Sequence, residues 1–328
     1  MLDIPNDFFR GQPHPVFSVV VPAFNEAPGL ARFHARLRAV MQSLGPWEVV
    51  YVDDGSTDGT AAVLTALRRD DPQVAVVRLS RNFGKEIATT AGLDHARGDA
   101  VIVIDADLQD PPEVIPALTQ AWRNGFDMVT ARRRARAGET WFKRATAHLF
   151  YTIMSHTGRV RLPMDTGDFR LMSRRVVDAV GQLRERHRFM KGLFAWVGYP
   201  TTEILYDRAP RCAGASKWNY WRLWNLALEG ITSFTTVPLT FATYLGLVVA
   251  LLSVIYGAQV VVKTLILGNA VAGYPSLMTV ILFLGGVQLM TLGVLGEYLG
   301  RVFNETKNRP LYLIERYEPC EAAMELAR

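Results

Sequence analysis

Cysteine is almost missing. Cys212 and Cys320 are the only two in 328 residues, far apart and without the spacing of a zinc site or the density of a disulfide scaffold. A stapled extracellular fold is excluded and a reducing compartment is expected. The six histidines do not cluster as ligands, and His148 and His156 have no metal-binding partner four residues on. No G-x-G-x-x-G follows the first apolar run, which argues against a dinucleotide-binding domain, and no G-x-x-x-x-G-K-[ST] supports a P-loop. The opening MLDIPNDFFRGQPHP lacks the apolar core of a signal peptide, so the first domain is expected to stay on the cytoplasmic side. Charge is missing as well, in one place: from Gly230 to Gly296 the only charged side chain is Lys263, although 20% of the whole chain is charged.

That gap implies a soluble domain joined to a membrane segment. Residues 238–262 and 277–296 are uncharged stretches, each as long as the roughly 20 residues a helix needs to cross a bilayer core. Gly268, Asn269, Gly273 and Pro275 punctuate the link. Lys217 and Arg222 precede the pair, and Arg301, Lys307 and Arg309 follow it, so both ends are expected in the cytoplasm. Residues 218–236, with Trp218, Trp221 and Trp224, read as an interfacial amphipathic helix. The expected organisation is a catalytic domain over 1–210, a juxtamembrane region over 211–236, two transmembrane helices within 237–300 and a cytoplasmic tail over 301–328. A net charge of +5 fits anionic lipid or phosphorylated small molecules, and no nucleic-acid partner is expected.

Before residue 230 short apolar runs alternate with helical spacing. Strands are expected at Phe17–Val21, Trp47–Val52, Val74–Leu79, Ala100–Ile104 and Met128–Ala131, and helices at Leu30–Leu44, from the Ser56-Thr57-Asp58 cap through Arg69, and at Lys85–Ala96. This is an α/β pattern with a doubly wound, mostly parallel sheet. Ligands of such sheets bind at the carboxyl ends of the strands. Asn25, Glu26, Asp53, Asp54, Asn82, Asp105 and Asp107 stand at those ends and should share one crevice.

Asp105-Ala106-Asp107 directly follows a strand. Two carboxylates one residue apart can share a hard divalent cation that bridges a nucleoside diphosphate, and Gln109 can add an oxygen. Asp53 stands at another strand end, where a base or ribose is a natural partner. Four cations, Arg208, Arg211, Lys217 and the Arg132 end of an arginine run, lie where an anionic headgroup would be met, with Ser216 beside them.

The segments VVPAFNE (Val20–Glu26), VDDGSTDGT (Val52–Thr60), SRNFGKE (Ser80–Glu86), IDADLQDPPE (Ile104–Glu113) and GDFRLMSRR (Gly167–Arg175) occur in this order. As a set they resemble family 2 glycosyltransferases of the GT-A fold. Within these the chain is similar to polyprenyl-phosphate sugar transferases, above all the bacterial bactoprenol glucosyl transferase branch. The resemblance covers roughly residues 16–318. It implies inverting transfer of one sugar from a nucleotide sugar, UDP-glucose being expected, to undecaprenyl phosphate, and a homotetramer. It implies nucleotide-sugar binding by Pro22, Ala23, Asn25, Glu26, Asp53, Asp54, Lys85, Asp105, Ala106 and Asp107. Asp105, Asp107 and Gln109 would hold Mg²⁺ or Mn²⁺. Arg132, Arg144, Arg208, Arg211, Ser216 and Lys217 would meet the lipid phosphate. Asp168, and after it Asp165, would be the catalytic carboxylate.

The role of Asp168 has two readings. An alcohol acceptor needs a general base, whereas a phosphate monoester, with a second pKa of about 6, needs positioning more than deprotonation. Two rival functions are a processive polysaccharide synthase, which would carry a Q-x-x-R-W motif absent here, and a non-catalytic membrane scaffold, which would have no use for Asp105 and Asp107.

Overall fold

The computed structural model describes residues 15–134, 166–186, 188–207, 237–267 and 273–320. The soluble part is an eight-stranded sheet between two layers of helices. Its elements in chain order are β1 (Phe17–Ala23), α1 (Ala27–Met41), β2 (Trp47–Asp53), α2 (Thr60–Asp70), β3 (Val74–Leu79), α3 (Lys85–His95), β4 (Ala100–Val103), α4 (Ile115–Arg123), β5 (Met128–Arg133), β6 (Thr166–Ser173), α5 (Arg174–Gln182), α6 (Met190–Trp196) and β7 (Thr201–Tyr206). Two long helices follow, α7 (Val237–Leu267) and α8 (Tyr274–Thr306), and then β8 (Ile314–Glu318).

Strand alternation sorts the core into two faces. Phe17, Val19 and Val21 of β1, Val49 and Tyr51 of β2 and Ile102 of β4 pack with α1 and α4 through Leu30, Phe33, Leu37, Ile115 and Leu118. On the other face Val20, Val101 and Val103 meet Met172, Val176 and Phe194. Val50, Val52, Val77 and Leu79 meet Ala88 and Ala91 of α3. These strands are buried on both sides, which is why they read as continuous apolar runs.

The strand order is β7-β5-β6-β4-β1-β2-β3-β8. The centre, β4-β1-β2-β3, is parallel. The sheet is mixed but mostly parallel, with β5 and β7 also parallel to each other: β6 runs antiparallel to both β4 and β5, and β8 runs antiparallel to β3. Neither strand carries a plain apolar signature. In β6 the charged Asp168 and Arg170 alternate with Phe169 and Leu171, and β8 (IERYE) is an edge strand held through its backbone. The segment read as a cytoplasmic tail thus supplies a strand of the soluble sheet.

Helices α7 and α8 pack against each other. Among the described residues one helix is long and apolar enough to cross a membrane, with its most apolar window at Ala242–Gln259. The second expected span, 277–296, lies inside α8. Leucines on both helices are exposed, Leu265 by 80% and Leu289 by 72%. The expected interfacial helix over 218–236 lies outside the described residues.

Candidate functional site

The carboxyl ends of β1, β2 and β4 lie side by side, and hydrogen bonds join the segments that follow β1 and β2. Asp54 N donates to Ala23 O, at 3.0 Å. Asn25, in the left-handed region at φ 57°, donates its amide to Ser56 Oγ (3.1 Å) and accepts from Thr57 N through Oδ1 (2.9 Å). Glu26 N donates to Thr60 Oγ1 at 3.0 Å. Ser56 therefore joins two strand ends and does not cap α2. The N-cap of α2 is Gly59, with no side-chain cap, and Asp58 just before it accepts from Thr60 N at 2.9 Å. Pro22 and Ala23 stand at the end of β1 as expected, with Ala23 buried beneath the crevice.

Asp53 and Asp54 are neighbours with different tasks. Asp53 is 1% exposed. Its Oδ1 accepts from Ser56 N at 2.9 Å, and its Oδ2 has no hydrogen bond and lies 3.6 Å from Arg78 Nε. Asp54 is turned the other way: its two oxygens accept from Phe83 N (2.7 Å) and Gly84 N (2.9 Å). Both acceptor atoms are thus occupied by the loop before α3. Asp54 braces that loop.

The loop delivers Lys85, the first residue of α3. Lys85 Nζ donates to Asp105 Oδ2 at 2.7 Å and to Asp168 Oδ2 at 2.6 Å. Three segments far apart in sequence thus meet at one ammonium. Burial disfavours the charge on Lys85, but the two carboxylates outweigh it and raise its pKa. Burial also opposes ionisation of Asp168, and here Lys85, Lys191 and Arg170 prevail, holding its carboxyl well below the usual carboxylate range. Asp105 goes the other way: burial raises it against the pull of Lys85, and Asp168 adds to the rise. Asp168 Oδ1 is left buried without a hydrogen bond. Arg170 holds the backbone of this segment, donating to Gly167 O at 2.9 Å and Asp168 O at 3.3 Å, with its guanidinium 4.1 Å from the Phe194 ring centre.

After Asp105 the chain turns sharply. Ala106 is buried, Asp107 Oδ1 accepts from Gln109 N at 3.0 Å, and Leu108 takes a positive φ of 59°. A buried leucine in that region costs about 1–3 kcal/mol and persists where the surroundings impose it. The donor set of Asp105, Asp107 and Gln109 is all oxygen, the chemistry that suits Mg²⁺ or Mn²⁺. Among the described residues no group of three or more His, Cys, Asp or Glu side chains gathers as a metal cage. Asp110, in the same turn, is buried and accepts from the Tyr206 hydroxyl, with Arg133 3.8 Å away.

The described arginines of the run, Arg132, Arg133 and Arg134, each face a carboxylate. Arg132 Nη1 donates to Glu203 Oε2 at 3.0 Å, and Arg134 lies 3.8 Å from Asp207. Arg132 is thereby engaged along the β5–β7 edge. Asp165, Arg144, Arg208, Arg211, Ser216 and Lys217 lie outside the described residues. Two groups at the site went unnoticed in the sequence. Glu86, beside Lys85, accepts from Met190 N at 3.2 Å, and burial together with Asp168 raises its carboxyl to about 7. Lys191 follows Met190 and faces Asp168 and Glu86 electrostatically. Glu86 was legible inside SRNFGKE; Lys191, in RFMKGLF, carried no signal of its own.

Residues 18–181 match the family described as Glycosyl transferase family 2, and residues 237–302 match the GtrB C-terminal hairpin. The chain is 55% identical over 298 residues to an uncharacterized glycosyltransferase of Synechocystis, covering 90% of this chain and 94% of that one. It is 53% identical over 301 residues to the SfII prophage-derived bactoprenol glucosyl transferase of Shigella flexneri, covering 91% and 97%. Among solved structures, glucosyl-3-phosphoglycerate synthase from Mycobacterium tuberculosis, in complex with Mn²⁺, UDP-glucose and phosphoglyceric acid, matches with a TM-score of 0.45 and 21% identity, covering 69% of this chain and 80% of that one.

Proposed function

The chain belongs to the family 2 glycosyltransferases, and from that premise we propose that it transfers a single glucosyl unit from UDP-glucose to undecaprenyl phosphate at the cytoplasmic face of a membrane. The observation that carries the reading is the junction of Lys85, Asp105 and Asp168 beside the Asp105–Gln109 turn. It is a compact charged centre at the strand ends, where a sugar diphosphate can be neutralised at one side and attacked from the other. The hairpin α7–α8, apolar and exposed, supports the membrane assignment, with both of its ends in the cytoplasm.

Asp53, with a spare buried oxygen, reads the nucleoside. Asp105, Asp107 and Gln109 would hold Mg²⁺ or Mn²⁺, which supplies charge neutralisation for the departing nucleoside diphosphate. Lys85 stabilises the two carboxylates until the donor arrives, then offers its ammonium to the diphosphate. Asp168, held ionised by Lys85, is a weak base. It orients the acceptor, whose phosphate is already anionic near neutral pH, and direct attack inverts the anomeric carbon. Arg144, Arg208, Arg211, Ser216 and Lys217 receive the lipid headgroup.

The test is transfer by purified protein in detergent, given radiolabelled UDP-glucose, undecaprenyl phosphate and Mg²⁺ or Mn²⁺. A labelled lipid that mild acid releases, lost with EDTA and in Asp107→Asn, is the expected product. Water-soluble polymer would point to a synthase, and undiminished transfer by Asp107→Asn would remove the metal assignment.

A further inference from the structure

Lys191 stands out among the cations around Asp168 because it is uncommitted among the described residues. Lys85 is shared between Asp105 and Asp168. Arg170 is spent on two backbone carbonyls and the face of Phe194. Lys191 has neither a hydrogen bond nor an ion pair among the described residues, yet the charges acting on it are Asp168, Arg170, Glu86 and Lys85. Its place is well defined. Met190 N donates to Glu86 Oε2, and Thr90 Oγ1 donates to Met190 Sδ at 3.8 Å. Leu193 and Phe194 are buried in the same core as Val20 and Met172. Helix α6 is thus pinned to the first turns of α3, which begins at Lys85.

A cation set among two carboxylates and two further cations, and paired to neither carboxylate among the described residues, leaves part of its charge free for a ligand. The ligand must be anionic, and it must arrive on the Asp168 side. The donor residues come from the ends of β1, β2 and β4 and the start of α3, whereas Lys191 comes from the segment beyond β6, the strand that carries Asp168. A phosphate monoester carries about −1.5 to −2 charges near pH 7, and Asp168 and Glu86 would repel it unless a cation stood between. We propose that Lys191 is a binding residue for the acceptor, its ammonium donating to a phosphoryl oxygen of the polyprenyl phosphate. This rests on the acceptor assigned under Proposed function. Burial, together with the neighbouring Arg170 and Lys85, lowers the Lys191 pKa, and an incoming phosphate is the kind of partner that raises it again.

The test uses full-length Lys191→Met and Lys191→Arg in detergent. Initial rates are measured against undecaprenyl phosphate at saturating UDP-glucose, and the reverse, with UDP affinity by calorimetry. Loss of one charge-assisted hydrogen bond raises KM for the lipid phosphate about tenfold or more. UDP affinity and KM for UDP-glucose stay within about twofold, and the arginine variant recovers most of the loss. A raised KM for UDP-glucose with the acceptor KM unchanged would assign Lys191 to the donor and overturn the proposal. So would wild-type kinetics in Lys191→Met. If Lys191→Met does not fold, Lys191→Gln carries the same comparison. Wild-type protein that makes no lipid-linked sugar overturns the functional reading and this assignment with it; wild-type transfer with an indifferent Lys191 overturns only the assignment.

Discussion

Lys85 donates to Asp105 and Asp168 at once, so removing its ammonium leaves two carboxylates facing each other across the crevice. Lys85→Met should lower kcat/KM for UDP-glucose by about two orders of magnitude, the scale of losing charge-assisted bonds at a reacting centre, read from initial rates. Because Lys85 holds the Asp168 carboxyl well below its ordinary range, Asp168 does not titrate near neutrality. The acid limb of the rate profile is then expected from the acceptor phosphate, with a second pKa of about 6, and from Glu86, raised to about 7. Asp168→Asn should lower kcat and leave that limb where it is; a limb that vanishes in Asp168→Asn would make Asp168 the base. Glu86 gives a separate signature. Its folded-state pKa of about 7 lies above the ordinary 4.5. The folded state therefore holds this proton more tightly, and the resulting stability is present below about pH 4.5 and lost as pH rises through 7. In Glu86→Gln the melting temperature should fall less between pH 5 and 8 than in the wild type.

At the scale of elements, the site depends on two loops that touch. Gly55, in the turn after β2, has φ 67°, and a Cβ there would stand 2.5 Å from Arg81 C and 2.7 Å from Asn82 N. The neighbouring Asp54 carboxylate holds Phe83 and Gly84 of that second loop. Gly55→Ala should therefore push the loop that delivers Lys85, lowering both the melting temperature and the affinity for UDP measured by calorimetry. Gly45, with φ 131° and nothing within 4 Å of an added Cβ, is the comparison: Gly45→Ala carries backbone strain alone and should spare UDP affinity. The four motifs VVPAFNE, VDDGSTDGT, SRNFGKE and IDADLQDPPE were legible because each ends a buried parallel strand. The division of labour between Asp53 and Asp54 was not, since adjacent identical residues differ only in which loop folds against them.

Across the whole molecule, the C-terminal segment ties the long helices to the sheet. Arg186, between α5 and α6, donates through its amide to Glu305 Oε1 (2.7 Å) and through Nη1 to Glu305 O (3.0 Å), at the end of α8. Farther on, β8 covers the edge of β3, and Tyr312, Ile314 and Cys320 pack on Val77, Leu79 and Ala88. Removing residues 312–328 exposes that apolar cluster and an unpaired strand edge, the usual route to aggregation. The truncated protein should melt lower and elute as aggregates in size-exclusion chromatography in detergent.

Apolar runs of five or six residues, buried on both faces, determined the parallel centre of the sheet from sequence alone, because burial dictates composition wherever a strand is covered on both sides. The stretch from Gly230 to Gly296, with Lys263 as its single charge, likewise announced a long apolar helix, since charge density needs no contacts to be read. Strands β6 and β8 were decided by tertiary structure: their residues alternate charge with bulk, and pairing with β4 and β3 supplies what their composition does not. The charged junction at Lys85 belongs to the same class. Positions 85, 105 and 168 become neighbours only when three strand ends close on one crevice, and whether Asp168 acts as a base or an anchor follows from the ammonium 2.6 Å away, a distance no one-dimensional pattern contains.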